Sequence, residues 1–303
     1  MSRLVIIGGN SFIAKNFLRN CNYNKNNLEI ININTNLSNN FHKYIKFDIK
    51  TNWSKYIFKD DTIIFFSSPS HTSIKNKKIL IFLKNFSYFL NSISKLDINK
   101  LIFISSQKVL GETSEDNNKL FCFSRPNPKT KYSKYKFECE NLILENNLKH
   151  KLNFIILRPP VVIGHGMKGN INLISKFLKL RIPLPIKFIN SNRNYISVDN
   201  LSLIINKCIS SDKLNNYTYT LNDGYKYSLS EIVLNISSSI GVPVIIFNNI
   251  IYYNIIFLQS KLLKINDKIF KSFYIDCSKD LSKINVSLKD DLQETLYNSF
   301  KDK

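Results

Sequence analysis

The stretch RLVIIGGNSFIAKNFLRNC (residues 3–21) decides the fold. Residues 3–8 are an apolar run typical of a buried strand, and residues 11–21 carry apolar residues at the spacing of a helix. The turn between them contains Gly8 and Gly9. A turn of this kind lets backbone N–H groups and the N-terminus of a helix meet a pyrophosphate. The stretch therefore predicts a strand, a phosphate-binding turn and a helix.

The turn departs from the usual glycine pattern of dinucleotide-binding proteins. Gly8 permits the tight turn and Gly9 keeps the loop bare. Ser11 and Ala14 stand where such turns usually carry their second and third glycine. Both residues are small, so close approach of a cofactor remains possible. A tight turn without a ligand is the alternative that the residues alone leave open.

Apolar strands alternate with amphipathic helices through the first half of the chain. Such alternation indicates strand–helix–strand units and a parallel sheet with helices on both faces. We therefore predict an α/β fold, a Rossmann-type doubly wound parallel sheet. The predicted strands are 28–34, 61–68, 100–106 and 153–159, and the predicted helices are 76–96 and 130–147.

The second half has a different texture and predicts a smaller α/β domain packed onto the first. A helix is predicted over 171–179, and a strand, a turn and a helix over 219–241. Ser228 and Glu231 form a capping box for this last helix, and Gly241 forms its C-cap.

Composition favours a globular protein without a nucleic-acid partner. Hydrophobic residues make up 44% and charged residues 21% of the 303 residues. The net charge is +21, but the basic residues are scattered, and no run of five or more occurs. A solvated basic surface explains this pattern, and the positive field would help an anionic small substrate to arrive.

Other features predict a cytoplasmic protein with no bound metal. The five cysteines form no CxxC motif, which favours reduced thiols. We expect no signal peptide, because a polar turn follows soon after Arg3. We expect no membrane span, because asparagines interrupt the most apolar stretch, residues 242–260. The four histidines lack metal-ligand spacing.

The stretch KYSKYKFECE (131–140) places Tyr132 four residues before Lys136, on one face of a helix. The composition gives about two such pairs of Tyr with Lys or Arg by chance, and the chain has a second in Tyr297 with Lys301. Spacing alone therefore does not make Tyr132 catalytic. Ser106 follows a predicted strand at the carboxyl edge of the sheet, where open α/β sheets place their ligands.

The residues that would select the cofactor are ambiguous. An acidic residue after the second strand would hold the adenosine ribose of NAD. This strand instead carries Asn32, and no arginine follows directly to accept the 2′-phosphate of NADP. Asp48, after a short third strand, is a further candidate, and a surface-turn aspartate is its alternative. NAD and NADP both remain open.

Several segments together resemble the extended short-chain dehydrogenase/reductase superfamily, in its nucleotide-sugar epimerase/dehydratase branch. The resemblance covers essentially the whole chain, with the segments in the expected order. The narrower likeness is to bacterial UDP-sugar 4-epimerases and 4-ketoreductases of surface-polysaccharide synthesis. The segments are the glycine turn, SSQKVLG (105–111), YSKYK (132–136), LRPPVVIGHG (157–166), NRNYISVDNL (192–201) and residues 274–296.

The resemblance implies a role for each matching residue. Ser106, Tyr132 and Lys136 are then catalytic. NAD is the implied cofactor, with NADP not excluded. A nucleotide sugar is the implied substrate, bound by Ser106, Asn170 and Arg193. The implied cofactor-binding residues are Gly8, Gly9, Ser11, Phe12, Ile13, Asn32, Asp48, Ile49, Phe66, Ser67, Ser68, Tyr132, Lys136 and Pro159.

The resemblance also implies how the chain is divided and assembled. Residues 1–163, with about 191–222, would form the NAD(P)-binding domain. Residues from about 164 to 190 and from 223 to 303 would bind the nucleotide sugar. Relatives often form homodimers through a four-helix bundle that includes the Tyr132 helix, so a homodimer is possible.

The chemistry of the three catalytic candidates fits this resemblance. A phenol with a pKa of about 10 is a poor base at neutral pH. A cation ~4 Å away stabilises the phenolate by up to ~4 kcal/mol at an effective dielectric of 20, or about three pKa units. Lys136 would supply that cation, Tyr132 would take a proton from a sugar hydroxyl, and Ser106 would hold the oxygen.

Three reactions or roles stay open. The 4,6-dehydratases of this branch carry an Asp-Glu pair after the catalytic hydroxyl residue, but Gln107 and Lys108 follow Ser106 here. We therefore expect a 4-epimerase first and a 4-ketoreductase of a 4-keto sugar second. A non-catalytic nucleotide-binding relative is the third reading.

Overall fold

The chain folds around a seven-stranded sheet in which every strand pair is parallel. Helices pack on both of its faces. The predicted fold class, a Rossmann-type doubly wound sheet with a smaller C-terminal α/β part, is confirmed. The structure is a computed structural model that describes residues 3–21, 27–33, 43–67, 76–114, 120–167, 170–184, 191–246, 254, 271–289 and 292–301.

The strands are β1 (Leu4–Ile7), β2 (Leu28–Ile33), β3 (Lys43–Ile45), β4 (Thr62–Phe65), β5 (Lys100–Ile104), β6 (Leu120–Phe121), β7 (Phe154–Arg158), β8 (Val161–Ile163), β9 (Asn192–Arg193), β10 (Tyr195–Ser197), β11 (Tyr217–Thr220), β12 (Tyr227–Ser228) and β13 (Ile275–Asp276). The helices are α1 (Phe12–Arg19), α2 (Asn76–Ile93), α3 (Lys131–His150), α4 (Asn170–Lys179), α5 (Val198–Ser210), α6 (Leu229–Ile240), α7 (Ser278–Ile284) and α8 (Leu292–Lys301).

The order of the strands places the first strand in the middle of the sheet. The order is β3, β2, β1, β4, β5, β7 and β11. The chain runs outward in one direction from β1 to β3 and then in the other from β4 to β11. The switch lies between β1 and β4, and open α/β sheets bind ligands beside such a point, at the carboxyl ends of the strands.

Burial on both faces explains why the strands were readable as apolar runs. All four side chains of β1 are fully buried. Val5 and Ile7 belong to the core beneath α2 and α3, and Leu4 and Ile6 belong to the core beneath α1 and α5. The observed strands end earlier than predicted: β4 ends at Phe65 and β5 at Ile104. The first residue after each strand still donates to the neighbouring strand, Phe66 to Ile7 at 2.9 Å and Ser105 to Leu157 at 2.7 Å.

A third apolar core lies between α4, α6 and α8. Its buried members include Ile171, Ile236 and Leu296. The predicted capping box at the start of α6 is confirmed: the Ser228 N–H donates to Glu231 at 2.7 Å, and the Glu231 N–H donates to the Ser228 hydroxyl at 3.1 Å. Gly241 caps the helix end in the left-handed conformation, as predicted. The domain boundaries stay a prediction.

Asparagine side chains attach the late segment 271–289 to the rest of the fold. Asn194 accepts from the Ile275 N–H at 2.6 Å and donates to the Ile275 carbonyl at 3.2 Å. Asn200 makes the same two contacts with Lys289, both at 2.9 Å. Each amide thereby takes the place of a neighbouring strand, because it offers one donor and one acceptor to a single residue.

The described residues also bear on disulfides, membrane spans and metal sites. All five cysteines are free thiols. Within the described part of the chain, no helix combines the length and apolarity that crossing a bilayer requires. The described residues also contain no group of three or more His, Cys, Asp or Glu arranged to hold a metal ion.

We predict that Asn194→Ala destabilises the protein by about 1–3 kcal/mol, because the buried N–H of Ile275 loses its acceptor. The free energy of unfolding in urea measures this effect. Asn127→Ala, at an exposed position, is the matched control and should change that free energy by less than about 0.5 kcal/mol. Equal values for the two variants would contradict the role assigned to Asn194.

Candidate active site

The carboxyl end of β5 and the start of α3 bring Ser106 and Tyr132 together. Ser106 lies close enough to the Tyr132 hydroxyl to lower the pKa of Tyr132. Ser106 also accepts from the Lys108 N–H at 3.3 Å, which fixes its position in the loop. Thr130 and Ser133 cap α3 reciprocally, so the helix start that carries Tyr132 is fixed as well.

Lys136 lies one turn further along α3 and is only 2% exposed. Its ammonium donates to the Ile104 carbonyl at 2.6 Å and lies 4.7 Å from the centre of the Phe103 ring. Both partners belong to β5, the strand that leads to Ser106. The lysine therefore anchors α3 to this strand.

Burial is the main influence on the protons of this site. It raises the pKa of Tyr132 well above its ordinary value, while the hydrogen bond with Ser106 lowers that pKa. It lowers the pKa of Lys136 to about 8, against the opposing attraction of Cys139 and Glu140. Sequence reasoning expected Lys136 to govern the pKa of Tyr132. In the structure burial governs it, because a low-dielectric site disfavours every charged form.

A buried carboxylate behind the catalytic candidates was missed by sequence reasoning. Glu140 is 2% exposed and lies two turns beyond Tyr132 on α3. It accepts from the Ser105 hydroxyl and from Arg158, through Nε at 3.0 Å and Nη2 at 2.5 Å. The available signal was its place on the helix face of Tyr132 and Lys136. That signal is weak without knowledge of the residues opposite.

The glycine turn is as tight as predicted. Gly8 has φ +89°, and a side chain there would lie 2.7 Å from the backbone nitrogen of Ser67. The Gly8 N–H donates to the Ile31 carbonyl at 2.8 Å, which ties the turn to β2. Ser11 caps α1 by accepting from the Ala14 N–H at 3.2 Å. The end of β1 and the start of α1 are therefore held between β2 and β4.

The first two residues of α1 use their side chains for packing. Phe12 packs against the core between α4, α6 and α8, and Ile13 packs against the core beneath α1 and α5. Any contact they make with a cofactor would therefore come from backbone N–H groups at the helix N-terminus, where anions are favoured.

Asn32 lies at the end of β2 beside this turn and is 1% exposed. Its side-chain oxygen accepts from the Asn10 N–H at 2.9 Å. Its amide nitrogen is buried and has no hydrogen-bond partner among the described residues. A buried N–H group without an acceptor costs about 1–3 kcal/mol. This donor therefore favours the binding of an acceptor oxygen.

Asp48 folds back onto its own loop. Its carboxylate accepts from the Lys50 N–H at 2.9 Å and contacts Lys46 at 3.2 Å. The Lys50 N–H is the largest of the contacts that lower the pKa of Asp48. The Phe47 carbonyl accepts from Asn85 at 2.6 Å, which fixes the loop to α2. A role for Asp48 and the exposed Ile49 in cofactor binding stays a prediction.

The other cofactor candidates line the carboxyl edge. Phe66 is buried and Ser67 lies against Gly8. Ser68 falls outside the described residues. Pro159 is buried after β7, and its carbonyl accepts from the Gln107 N–H at 3.0 Å. This bond links the loop of Ser106 to the end of β7.

The two substrate candidates lie in the second half of the chain. Arg193 in β9 donates to the Lys271 carbonyl at 2.9 Å. Asn170 is the first residue of α4, and its side chain falls outside the described part. Their contacts with a nucleotide diphosphate stay predictions.

The chain matches the model of the NAD dependent epimerase/dehydratase family over residues 4–206. A UDP-glucose 4-epimerase of Vibrio cholerae is 30% identical over 155 residues, which are 48% of this chain and 45% of that protein. The chain therefore aligns with less than half the length of this curated relative.

Solved structures share the fold over nearly the whole chain. A UDP-glucuronic acid 4-epimerase from Bacillus cereus in complex with NAD has a TM-score of 0.76 at 16% identity, covering 99% of this chain and 97% of that one. A UDP-N-acetylglucosamine 4-epimerase from Methanobrevibacter ruminantium has 0.74 at 18%, covering 99% and 97%. A dTDP-glucose 4,6-dehydratase from Bacillus anthracis has 0.73 at 15%, covering 99% and 96%.

We predict that Gly8→Ala destabilises the protein more than Gly224→Ala. Both glycines have a positive φ, +89° and +85°, but only Gly8 has atoms within 4 Å of the added carbon. Backbone strain costs about 1–2 kcal/mol at either position, and contact with Ser67 adds to it at Gly8 alone. Urea unfolding of both variants measures the difference. Equal losses would show that the turn has more room than the structure gives it.

Proposed function

Because the chain belongs to the NAD dependent epimerase/dehydratase family, we propose that it is an NAD-dependent 4-epimerase of a nucleotide sugar. The predicted family is confirmed by the match, which spans residues 4–206. The substrate we propose is a UDP-hexose or UDP-N-acetylhexosamine, used in surface-polysaccharide synthesis. The names of the relatives support this substrate class.

One observation carries the proposal: Ser106 and Tyr132 lie side by side, with a buried lysine one helical turn from Tyr132. The pair lies at the carboxyl edge of the sheet, where such folds place their ligands. A fold that only bound a nucleotide would have no physical need for this trio.

The residues near the glycine turn fit the adenosine diphosphate half of NAD. The N-terminus of α1 offers backbone donors to phosphate oxygens. Asn32 offers its buried amide donor to a ribose oxygen. When bound, NAD supplies the acceptor and donor of hydride at the oxidised carbon. Gly8, Gly9, Ser11 and Ser67 complete the proposed binding surface.

Tyr132 takes the proton from the C4 hydroxyl and returns it after inversion. Ser106 holds the same oxygen by a hydrogen bond. Ser106 offsets part of the effect of burial on the pKa of Tyr132, and the charge of Lys136 would add to the stabilisation of the phenolate. Epimerisation also requires that the 4-keto sugar present its other face before reduction.

Dehydration is disfavoured by the two residues that follow Ser106. Gln107 is buried and donates to the Leu221 carbonyl at 2.6 Å. Lys108 pairs with Glu112 at 3.1 Å. Neither position offers the acid and base that loss of water at neighbouring carbons needs.

A 4-ketoreductase is the second candidate, favoured by the neutral Asn32. Such an enzyme would release its cofactor at each turnover, and NADPH would suit it.

A homodimer stays part of the proposal. The exposed apolar side chains of α2 and α3 support it: Leu80, Ile81, Leu144 and Leu148.

These proposals are tested on purified protein to which no cofactor has been added. The dinucleotide released on denaturation is identified, and UDP-glucose and UDP-N-acetylglucosamine are then offered. Co-purified NAD and a C4-inverted product would establish the epimerase. Consumption of reduced nicotinamide only with a 4-keto sugar would favour the reductase. Silence in both assays would leave a non-catalytic protein.

We predict that Tyr132→Phe lowers kcat by about 10²–10⁴-fold, because the proton of the hydroxyl loses its acceptor. Dinucleotide binding should persist, as measured by the cofactor released on denaturation. Tyr297→Phe is the matched control, since Tyr297 also precedes a lysine by four residues, and it should leave kcat unchanged. Full activity in Tyr132→Phe would remove Tyr132 from the mechanism.

We predict that Asn32→Asp increases the preference for NADH over NADPH by at least about tenfold. The new carboxylate would repel the 2′-phosphate, and like charges in contact cost several kcal/mol. Fluorescence titration with each reduced cofactor gives the ratio of Kd values. Asn127→Asp makes the same charge change at an exposed site and should not alter the ratio. An unchanged ratio in Asn32→Asp would place the ribose elsewhere.

A further inference from the structure

We propose that the Glu140 carboxylate is the positioning group of the catalytic trio: it holds the ends of β5 and β7 against α3 and places a buried carboxylate one helical turn from Lys136. The inference rests on the proposed function, since it concerns the same site. Glu140 touches none of the reacting atoms and acts through other residues.

The geometry makes Glu140 the junction of three elements. Its two oxygens receive three hydrogen bonds, one from the Ser105 hydroxyl and two from Arg158. Ser105 precedes Ser106 at the end of β5. Arg158 precedes Pro159 at the end of β7. One carboxylate therefore fixes the two strand ends between which the substrate oxygen is proposed to lie.

Helical spacing places Glu140 behind the catalytic pair. Tyr132, Lys136 and Glu140 lie four residues apart, so they share one face of α3. That face points at the sheet: Lys136 bonds to the end of β5, and Glu140 bonds to residues of β5 and β7. A shift of Glu140 would therefore move Lys136 and Tyr132 relative to Ser106.

The charges around Lys136 give Glu140 a second effect. On its own helix Cys139 and Glu140 act on the charge of Lys136, and the ring centre of Tyr135 lies 5.8 Å from its ammonium. Arg158 joins Glu140 from β7. From β5 the lysine meets the Ile104 carbonyl and the Phe103 ring. Burial lowers the pKa of Lys136 to about 8, and Glu140 acts against this effect. Glu140 thus favours a charged Lys136 near neutral pH.

Glu140→Gln tests the charge directly, because the amide keeps the shape of the side chain and loses its charge. The pKa of Lys136 should fall further, since burial is then less opposed. Activity needs the ammonium form, so the alkaline limb of the kcat profile should move to lower pH by roughly one unit. We also expect kcat to fall by about tenfold or more through misplacement of the trio, with KM changed much less.

Three variants separate charge from structure. Glu138→Gln makes the same change at an exposed position of α3 and should not move the limb. Ser105→Ala removes one donor without a charge change, so it should lower kcat and leave the limb in place. Arg158→Gln removes the cation that neutralises Glu140 and should move the limb to higher pH. Opposite shifts in Glu140→Gln and Arg158→Gln are the signature of a charge effect.

A direct titration makes the test independent of turnover and of any single variant. Lysine side chains labelled with ¹³C at Cε are titrated by NMR, and Lys136→Arg assigns the signal that titrates near pH 8. The reference pKa of a lysine side chain in water is about 10.4. If Glu140→Gln fails to fold, Arg158→Gln in the same titration still gives the sign.

The outcomes distinguish this inference from the proposed function. A limb and an NMR titration that stay in place in both Glu140→Gln and Arg158→Gln would overturn the inference, even in an active epimerase. Wild-type protein without bound dinucleotide or activity on nucleotide sugars would overturn the proposed function. The NMR titration would then still support or reject the effect of Glu140 on Lys136.

Discussion

The parallel sheet imposes the constraint on which the rest of the molecule depends. All seven strands run in one direction and are covered by helices on both sides. Every loop that follows a strand therefore meets at a single edge. The glycine turn after β1, Ser67 after β4, Ser106 after β5 and Pro159 after β7 come from distant parts of the chain and share this edge for that reason. The topology of the sheet thus brings the residues of the proposed site together, before any side-chain contact contributes.

The same burial that stabilises the fold works against the charges that the chemistry uses. In the proposed mechanism Tyr132 releases a proton and Lys136 keeps one, in a site that favours the neutral form of both. Local polar groups oppose this effect of burial. The Ser106 hydroxyl does so for Tyr132, and the Ile104 carbonyl and the Glu140 carboxylate do so for Lys136. Water exclusion also strengthens these contacts, since electrostatic interactions grow as the local dielectric falls.

Sequence reasoning reached the features that local pattern determines. The strands were visible because side chains on both faces are buried, and the caps of α6 were visible because capping residues have fixed spacing. Strand ends were placed too late, because apolar residues such as Phe66 continue past the end of the strand. Sequence reasoning missed the hydrogen bonds of Glu140 and the turn in which Asp48 bonds to its own loop. It also missed the side-chain bonds of Asn194 and Asn200 to the segment 271–289. Each depends on which residues lie opposite, and one sequence does not contain that information.

The late segment 271–289 gives the fold an order in time. Gln107, beside Ser106, contacts the sulfur of Cys277 at 3.6 Å across 170 residues of chain. Asn194 and Asn200 bind backbone groups that the ribosome makes long after the sheet strands. During synthesis the sheet can collapse while this segment is still inside the exit tunnel. The loop of Ser106 therefore gains its contact with Cys277 only when this segment emerges, after all seven strands of the sheet have been made.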